Sequence, residues 1–148
     1  KIVFMNENFY LACENISDEY PFSIFRLTNI QKIHLATKTF KINPDIESFI
    51  KNLQTPFPKY TPEFRKHLIE VRVEVDSQKA RFFKAKNFLP SQKVEEEKGD
   101  GTFVLSFKVT QEMEMEELVK KWIPYMKIIS PLSLKKKIEG DLEEYLNI

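Results

Sequence analysis

The chain of 148 residues contains one cysteine, Cys13, which excludes an internal disulfide and a four-cysteine zinc site. Its three glycines are Gly99, Gly101 and Gly140, two in one turn and one within a helical stretch, so no glycine-rich loop can cradle a phosphate. Histidine is almost as scarce. His34 and His67 have no Cys, His or carboxylate partner at metal-ligand spacing, so neither a metal nor a cofactor is expected. Cys13 follows an apolar run and reads as a small core filler rather than a nucleophile, and no acid–base pair suggests an enzyme. An excess of one charge is missing too: 23 Lys and Arg stand against 22 Asp and Glu, a net charge of +1. Bulk charge therefore gives no sign of stand-alone nucleic-acid binding. No apolar run is long enough to span a membrane, and Lys1 to Met5 is too short for a signal peptide, so a cytoplasmic protein is expected.

What the chain does have is thirteen phenylalanines, eight prolines and an apolar share of 42%, enough for one medium domain or two small ones. Short strand-like runs come first: Lys1–Phe4, Phe9–Cys13 and Phe22–Ile30, with a turn signal at Asn6-Glu7-Asn8. Gln31–Phe40 alternates loosely through Ile33 and Leu35, as a half-buried strand would. Such closely spaced strands fit a small antiparallel barrel or a curled sheet. The pattern then changes at Asn43-Pro44-Asp45, a cap, a first-turn proline and an acid. Ile46, Phe49, Ile50 and Leu53 follow at helical spacing. Three prolines between Thr55 and Pro62 predict a linker.

Beyond the linker the pattern alternates. Leu68–Val75 predicts a strand, Ser77–Phe88 a helix, and Gln92–Glu97 and Thr102–Thr110 a hairpin around Asp100-Gly101. Glu112–Ile123 predicts a helix, Lys127–Ser130 a strand and Pro131–Leu146 a last helix through Leu134, Ile138, Leu142 and Tyr145. The order is βαββαβ plus a helix, a ferredoxin-like arrangement, and the fold class expected for the whole chain is α+β. Expected boundaries are 1–53, a proline-rich linker at 54–66, and 67–148.

Few residues suggest chemistry. Glu95-Glu96-Glu97 reads as a solvated strand end. Lys79, Arg81, Lys84 and Lys86 alternate with Phe82, Phe83 and Phe88, a mixture that suits phosphate or nucleic acid but equally a solvated helix face. Lys135-Lys136-Lys137 precedes Glu139, Asp141, Glu143 and Glu144, a spacing that supports a helix through ion pairs. Trp122 and Tyr145 occupy core-compatible helical positions.

Phe9-Tyr10-Leu11-Ala12 and Phe25-Arg26-Leu27-Thr28-Asn29-Ile30 resemble two strands of the WYL-domain family of bacterial transcriptional regulators, with Phe for the usual Trp. Phe40 fits the phenylalanine that closes that module. Ala85-Lys86 through Gln92, the Asp100-Gly101 hairpin, Met126 to Pro131 with Leu134, and Glu144-Tyr145-Leu146 resemble the family's C-terminal extension, WCX. The resemblance covers essentially the whole chain. It implies a partial SH3- or Sm-like barrel, lacking its first strands, ahead of the ferredoxin-like domain. It also implies that the chain is part of a longer regulator whose N-terminal winged helix-turn-helix touches DNA.

The function implied by the resemblance is ligand sensing and dimerisation. The effector would be a nucleotide or single-stranded nucleic acid on the barrel face, and the partner a second copy, with no membrane and no cofactor. Carried over by position, Tyr10 and Arg26 are the binding candidates, with Thr28, Ser23 and Asn29 beside them. Ser23 and Asn29 stand where the family commonly has arginine, which would weaken phosphate binding. Lys79, Arg81 and Lys84 could supply the lost charge. The alternative is a structural protein–protein assembly module without a small ligand.

Overall fold

The computed structural model describes residues 1–17 and 19–147 and divides into two compact units, Lys1–Lys66 and His67–Ile148.

In the first unit β1 (Ile2–Met5), β2 (Asn8–Glu14) and β3 (Phe22–Arg26) form an antiparallel sheet in the order β1-β2-β3. Asn6 and Glu7 turn β1 into β2 with φ values of 46° and 60°. Two successive positive φ angles are the signature of the type I′ turn, whose twist matches that of the strands. Helix α1 (Pro44–Lys51) begins as its sequence dictates: the Asn43 side chain accepts from the Asp45 and Ile46 amides, and Pro44 sits in the first turn. Ile46 and Ile50 bury against Ala12, with Val3, Phe22, Leu53 and Tyr60 around them. The proline-rich stretch is part of this unit. Its Tyr60 and Phe64 rings lie 5.1 and 5.0 Å from the buried Phe49 ring, in edge-to-face contacts.

Two expectations fail here. The strand from Phe22 ends at Arg26, and Leu27–Asn29 close into a 3-10 turn, so Thr28 and Asn29 do not continue the strand's alternation. Gln31–Phe40 forms no strand, and every residue in it is exposed. Alternation alone cannot make a strand; a ladder partner is required. The sequence after Arg26 offers no Asn-Gly or Asp-Gly turn that would return the chain alongside β3. With three strands, no barrel closes among the described residues.

The second unit runs β4 (Ile69–Val75), α2 (Ser77–Ala85), β5 (Lys93–Glu97), β6 (Phe103–Val109), α3 (Met113–Lys121), β7 (Met126–Ser130) and α4 (Leu132–Leu146). Its antiparallel sheet has the order β5-β6-β4-β7, with the first and third strands of the unit in the middle. The βαββαβ order read from periodicity is present. Val71, Val73 and Val75 of β4 alternate inward, opposite Phe107, Leu105 and Phe103 of β6. Ala80 and Phe83 of α2, Met115 and Val119 of α3, and Leu134 and Ile138 of α4 complete this core. Each such large apolar side chain contributes roughly 1.5–3 kcal/mol on burial. Asp76 caps α2 by accepting from the Gln78 amide at 2.8 Å. Gly101, at φ 84°, provides the backbone of the β5–β6 turn, and the Ser77 Cβ lies 3.3 Å from where a side chain would begin.

Tyr145 is a further correction: it is 74% exposed rather than buried, and Leu142 is also exposed. Helix α4 has 15 residues against five in β7. The buried stripe of α4 stops at Leu134 and Ile138, so its second half lies beyond the core.

Candidate ligand-binding site

The strand register brings two of the expected residues together. Tyr10 on β2 stands directly opposite Arg26 on β3, and Val3 of β1 stands opposite Tyr10 on its other side. Cross-strand partners share a face, so Tyr10, Arg26, Ala12 and Ile24 all point to the side of the sheet that packs on α1. Tyr10 is 9% exposed and belongs mostly to the core. Arg26, at the end of its strand, is exposed and has no ion-pair partner among the described residues. A guanidinium with five donors and no carboxylate is free to bind an anion. Thr28 and Asn29, both exposed, lie in the turn that follows and add a hydroxyl and an amide near the same strand end.

Ser23 does not join them. It pairs with Cys13, an odd number of residues from Arg26, and so occupies the opposite face. Its hydroxyl accepts from the Asn15 amide. Strand parity in the sequence already carried this separation. Burial raises the pKa of the neighbouring Cys13 thiol, opposed by the chain's amino terminus, and the thiol donates to the Ser23 carbonyl at 3.7 Å. A half-buried thiol held in its neutral form is a poor nucleophile.

In the second unit, the α2 cations are already engaged with the protein itself. The Lys79 ammonium sits 4.8 Å from the Tyr125 ring centroid and 5.8 Å from that of Phe82, which the Arg81 guanidinium also covers at 5.0 Å. Lys84 pairs with Glu97 at 3.5 Å. Lys86 lies 5.6 Å from the Phe88 ring. Such cation–π contacts contribute about 0.5–1 kcal/mol at exposed sites and hold the side chains down along the helix. Phe83 is buried beneath them, whereas Phe82 remains 39% exposed.

The indole of Trp122 lies among Phe82, Phe83 and Phe88, at centroid distances of 5.7, 5.0 and 5.4 Å. Its buried N–H has no oxygen or nitrogen partner among the described residues. Edge-to-face geometry with Phe83 and Phe88 offers ring faces as weak acceptors instead. No group of three or more His, Cys, Asp or Glu side chains among the described residues could hold a metal ion. No described helix is long and apolar enough to cross a membrane.

A protein-family model, the WCX domain, matches residues 67–146, which is the second unit almost from end to end. A search of curated proteins finds no match.

Proposed function

The chain belongs to the WCX-domain family, an extension associated with WYL-domain regulators, and from that premise we propose that it is the sensing and dimerising portion of a DNA-binding transcriptional regulator. In this reading the first unit is part of an SH3- or Sm-like barrel and the second is ferredoxin-like, a fold supported by its strand order. The effector is a nucleotide or short single-stranded nucleic acid. DNA is read by a separate winged helix-turn-helix, and the setting is the cytoplasm.

The observation that carries the proposal is the Tyr10–Arg26 pair: an exposed guanidinium with no ion-pair partner among the described residues, held by the ladder directly across from Tyr10. The strand fixes where the charge stands, and the partner is left to the ligand. A phosphate accepts bidentately from such a fork. The ligand then shifts how two copies are arranged, and with them the DNA-reading heads.

Fluorescence anisotropy with a short labelled single-stranded oligonucleotide at several salt concentrations tests the proposal. Binding is expected at low salt. Arg26→Ala should weaken it by about tenfold or more, the value of one charge-assisted hydrogen bond, and should reduce the salt slope by about 0.7. Absence of binding at low salt removes the nucleic-acid effector. It would leave the second reading, a protein–protein assembly module, which is favoured by the position of Ser23 on the opposite face and by the engagement of Lys79, Arg81 and Lys84 with their own helix's surroundings.

A further inference from the structure

Between Asp76 and Glu95 the chain has no acid, yet it carries Lys79, Arg81, Lys84, Lys86 and Lys93. The nearest carboxylates are already in use. Asp76 accepts from the Gln78 amide as the cap of α2, and Glu97 pairs with Lys84. Lys79, Arg81 and Lys86 have no ion-pair partner among the described residues. What they have instead is rings: Lys79 lies over Tyr125 and Phe82, Arg81 over Phe82, and Lys86 over Phe88. A ring attracts a cation through its quadrupole without neutralising it, so these three charges remain at the surface. Arg81, Phe82 and Lys86 are exposed. Beneath them Trp122 packs on Phe82 and Phe88 and fixes where those rings stand.

We infer that this surface of α2 docks an acidic segment of another protein, one in which carboxylates alternate with apolar side chains. Charge selects the sign of the partner: three uncompensated cations stand on one short helix and its end. The rings select protein over nucleic acid. Single-stranded nucleic acid is held by bases stacked on open aromatic faces, and here cations already lie over Phe82 and Phe88. An acidic segment uses what is left. Its carboxylates accept from the ammonium and guanidinium donors, and its apolar side chains meet the part of Phe82 that remains exposed. Arginine and aromatic side chains are also those that dominate interface energies. Because the cations already rest on rings, docking costs them less rotamer freedom. The inference goes beyond the effector reading, since it lies wholly in the second unit and uses neither Tyr10 nor Arg26.

Fluorescence anisotropy on the full chain is the test. The probe is a labelled peptide in which pairs of Glu alternate with Leu or Phe. The same peptide with Ser in place of its apolar residues and a single-stranded oligonucleotide of equal charge form the other arms. The first peptide is expected to bind, more weakly as salt rises. Binding should also change the emission of Trp122, the only tryptophan in the chain, which packs against Phe82 and Phe88. Arg81→Glu should weaken binding by about tenfold or more, the value of at least one charge-assisted hydrogen bond. Lys86→Glu, at a second exposed position, should do the same and decides the matter if the first variant fails to fold. Lys136→Glu, which removes an exposed cation of α4, should leave binding unchanged. An effect of Lys136→Glu as large as that of Arg81→Glu overturns the site, because attraction is then general rather than local. Absence of binding at low salt overturns the inference, as does equal binding of the Ser peptide, in which the rings take no part. An oligonucleotide that displaces the peptide and moves the Trp122 emission assigns the surface to nucleic acid and overturns it too.

Discussion

The two units treat the same device, a sheet with an apolar face, in opposite ways. In the second unit, helices α2, α3 and α4 cover the apolar face, and Val71, Val73, Leu105 and Phe107 lose essentially all contact with solvent. In the first unit one helix of eight residues and the proline-rich stretch after it cover one face, and the other presents Phe4, Phe9 and Phe25 to water. A sheet stabilises a domain only to the extent that something covers it. By that measure the second unit buries most of its apolar sheet surface, and the first leaves part of its own exposed.

The largest expected effect tests this contrast directly. Phe107→Ala, within the fully covered face, should destabilise the second unit by about 3–5 kcal/mol in urea denaturation. Phe9→Ala, on the uncovered face, should cost less than about 1 kcal/mol when measured where the chain is monomeric. Equal losses at the two positions would break the comparison.

A smaller effect separates the two turns. Gly101 holds φ 84° in the β5–β6 turn, where Gly101→Ala should cost about 1–2 kcal/mol, the strain of a left-handed non-glycine residue. Glu7 holds φ 60° without being glycine, so Glu7→Gly should raise the first unit's stability by about 1 kcal/mol. Thermal melting of the two variants should move in opposite directions. One turn has the residue its backbone asks for, and the other does not.

The smallest effect is electrostatic. The Lys120 ammonium, 2.7 Å from Asp141, holds that carboxyl below its ordinary range, aided by Lys137 and opposed by burial. In the first unit Lys1 and then Lys51 lower the pKa of Glu47. A carboxyl with a depressed folded pKa contributes stability above the ordinary carboxylate pKa of about 4 and loses it as pH falls through the folded value. Both units should therefore melt at lower temperature below that range. These groups are solvent-facing and screened, so the shift should be slight and smaller in salt. Lys120→Met should reduce the acid-induced part of the second unit's change while Lys137 retains the remainder.

Legibility in the sequence follows the same division. Helix α1 could be read from Asn43 and Pro44, and the second unit from the strict alternation of Ile69 to Val75 and the Asp100-Gly101 turn, because those signals are local. Gln31–Phe40 has the alternation and no ladder, a difference only tertiary structure decides. Tyr145 fits the helical period, yet the core ends at Ile138 and leaves it exposed, which periodicity does not encode. Within the candidate site, Tyr10 and Arg26 were recognisable by resemblance, but their pairing depends on register, set by the turn at Asn6 and Glu7 and by the connection to β3. The uncovered face was encoded in the parity of Phe9, Leu11 and Phe25. That nothing in the first unit covers it was not.

One side chain in the second unit has a consequence for motion. Gln92, 6% exposed, donates its amide to the Phe83 carbonyl at 2.9 Å and accepts from the Phe88 amide at 3.0 Å. It thus closes the end of α2 without a C-terminal glycine, in a chain that has only three. The same residue directly precedes β5, so the helix end, the loop and the entry to the edge strand share one fastener. Both ends of the segment from Phe83 to Lys93 are thus tied to one buried side chain, which couples the order of the helix end to that of the strand entry.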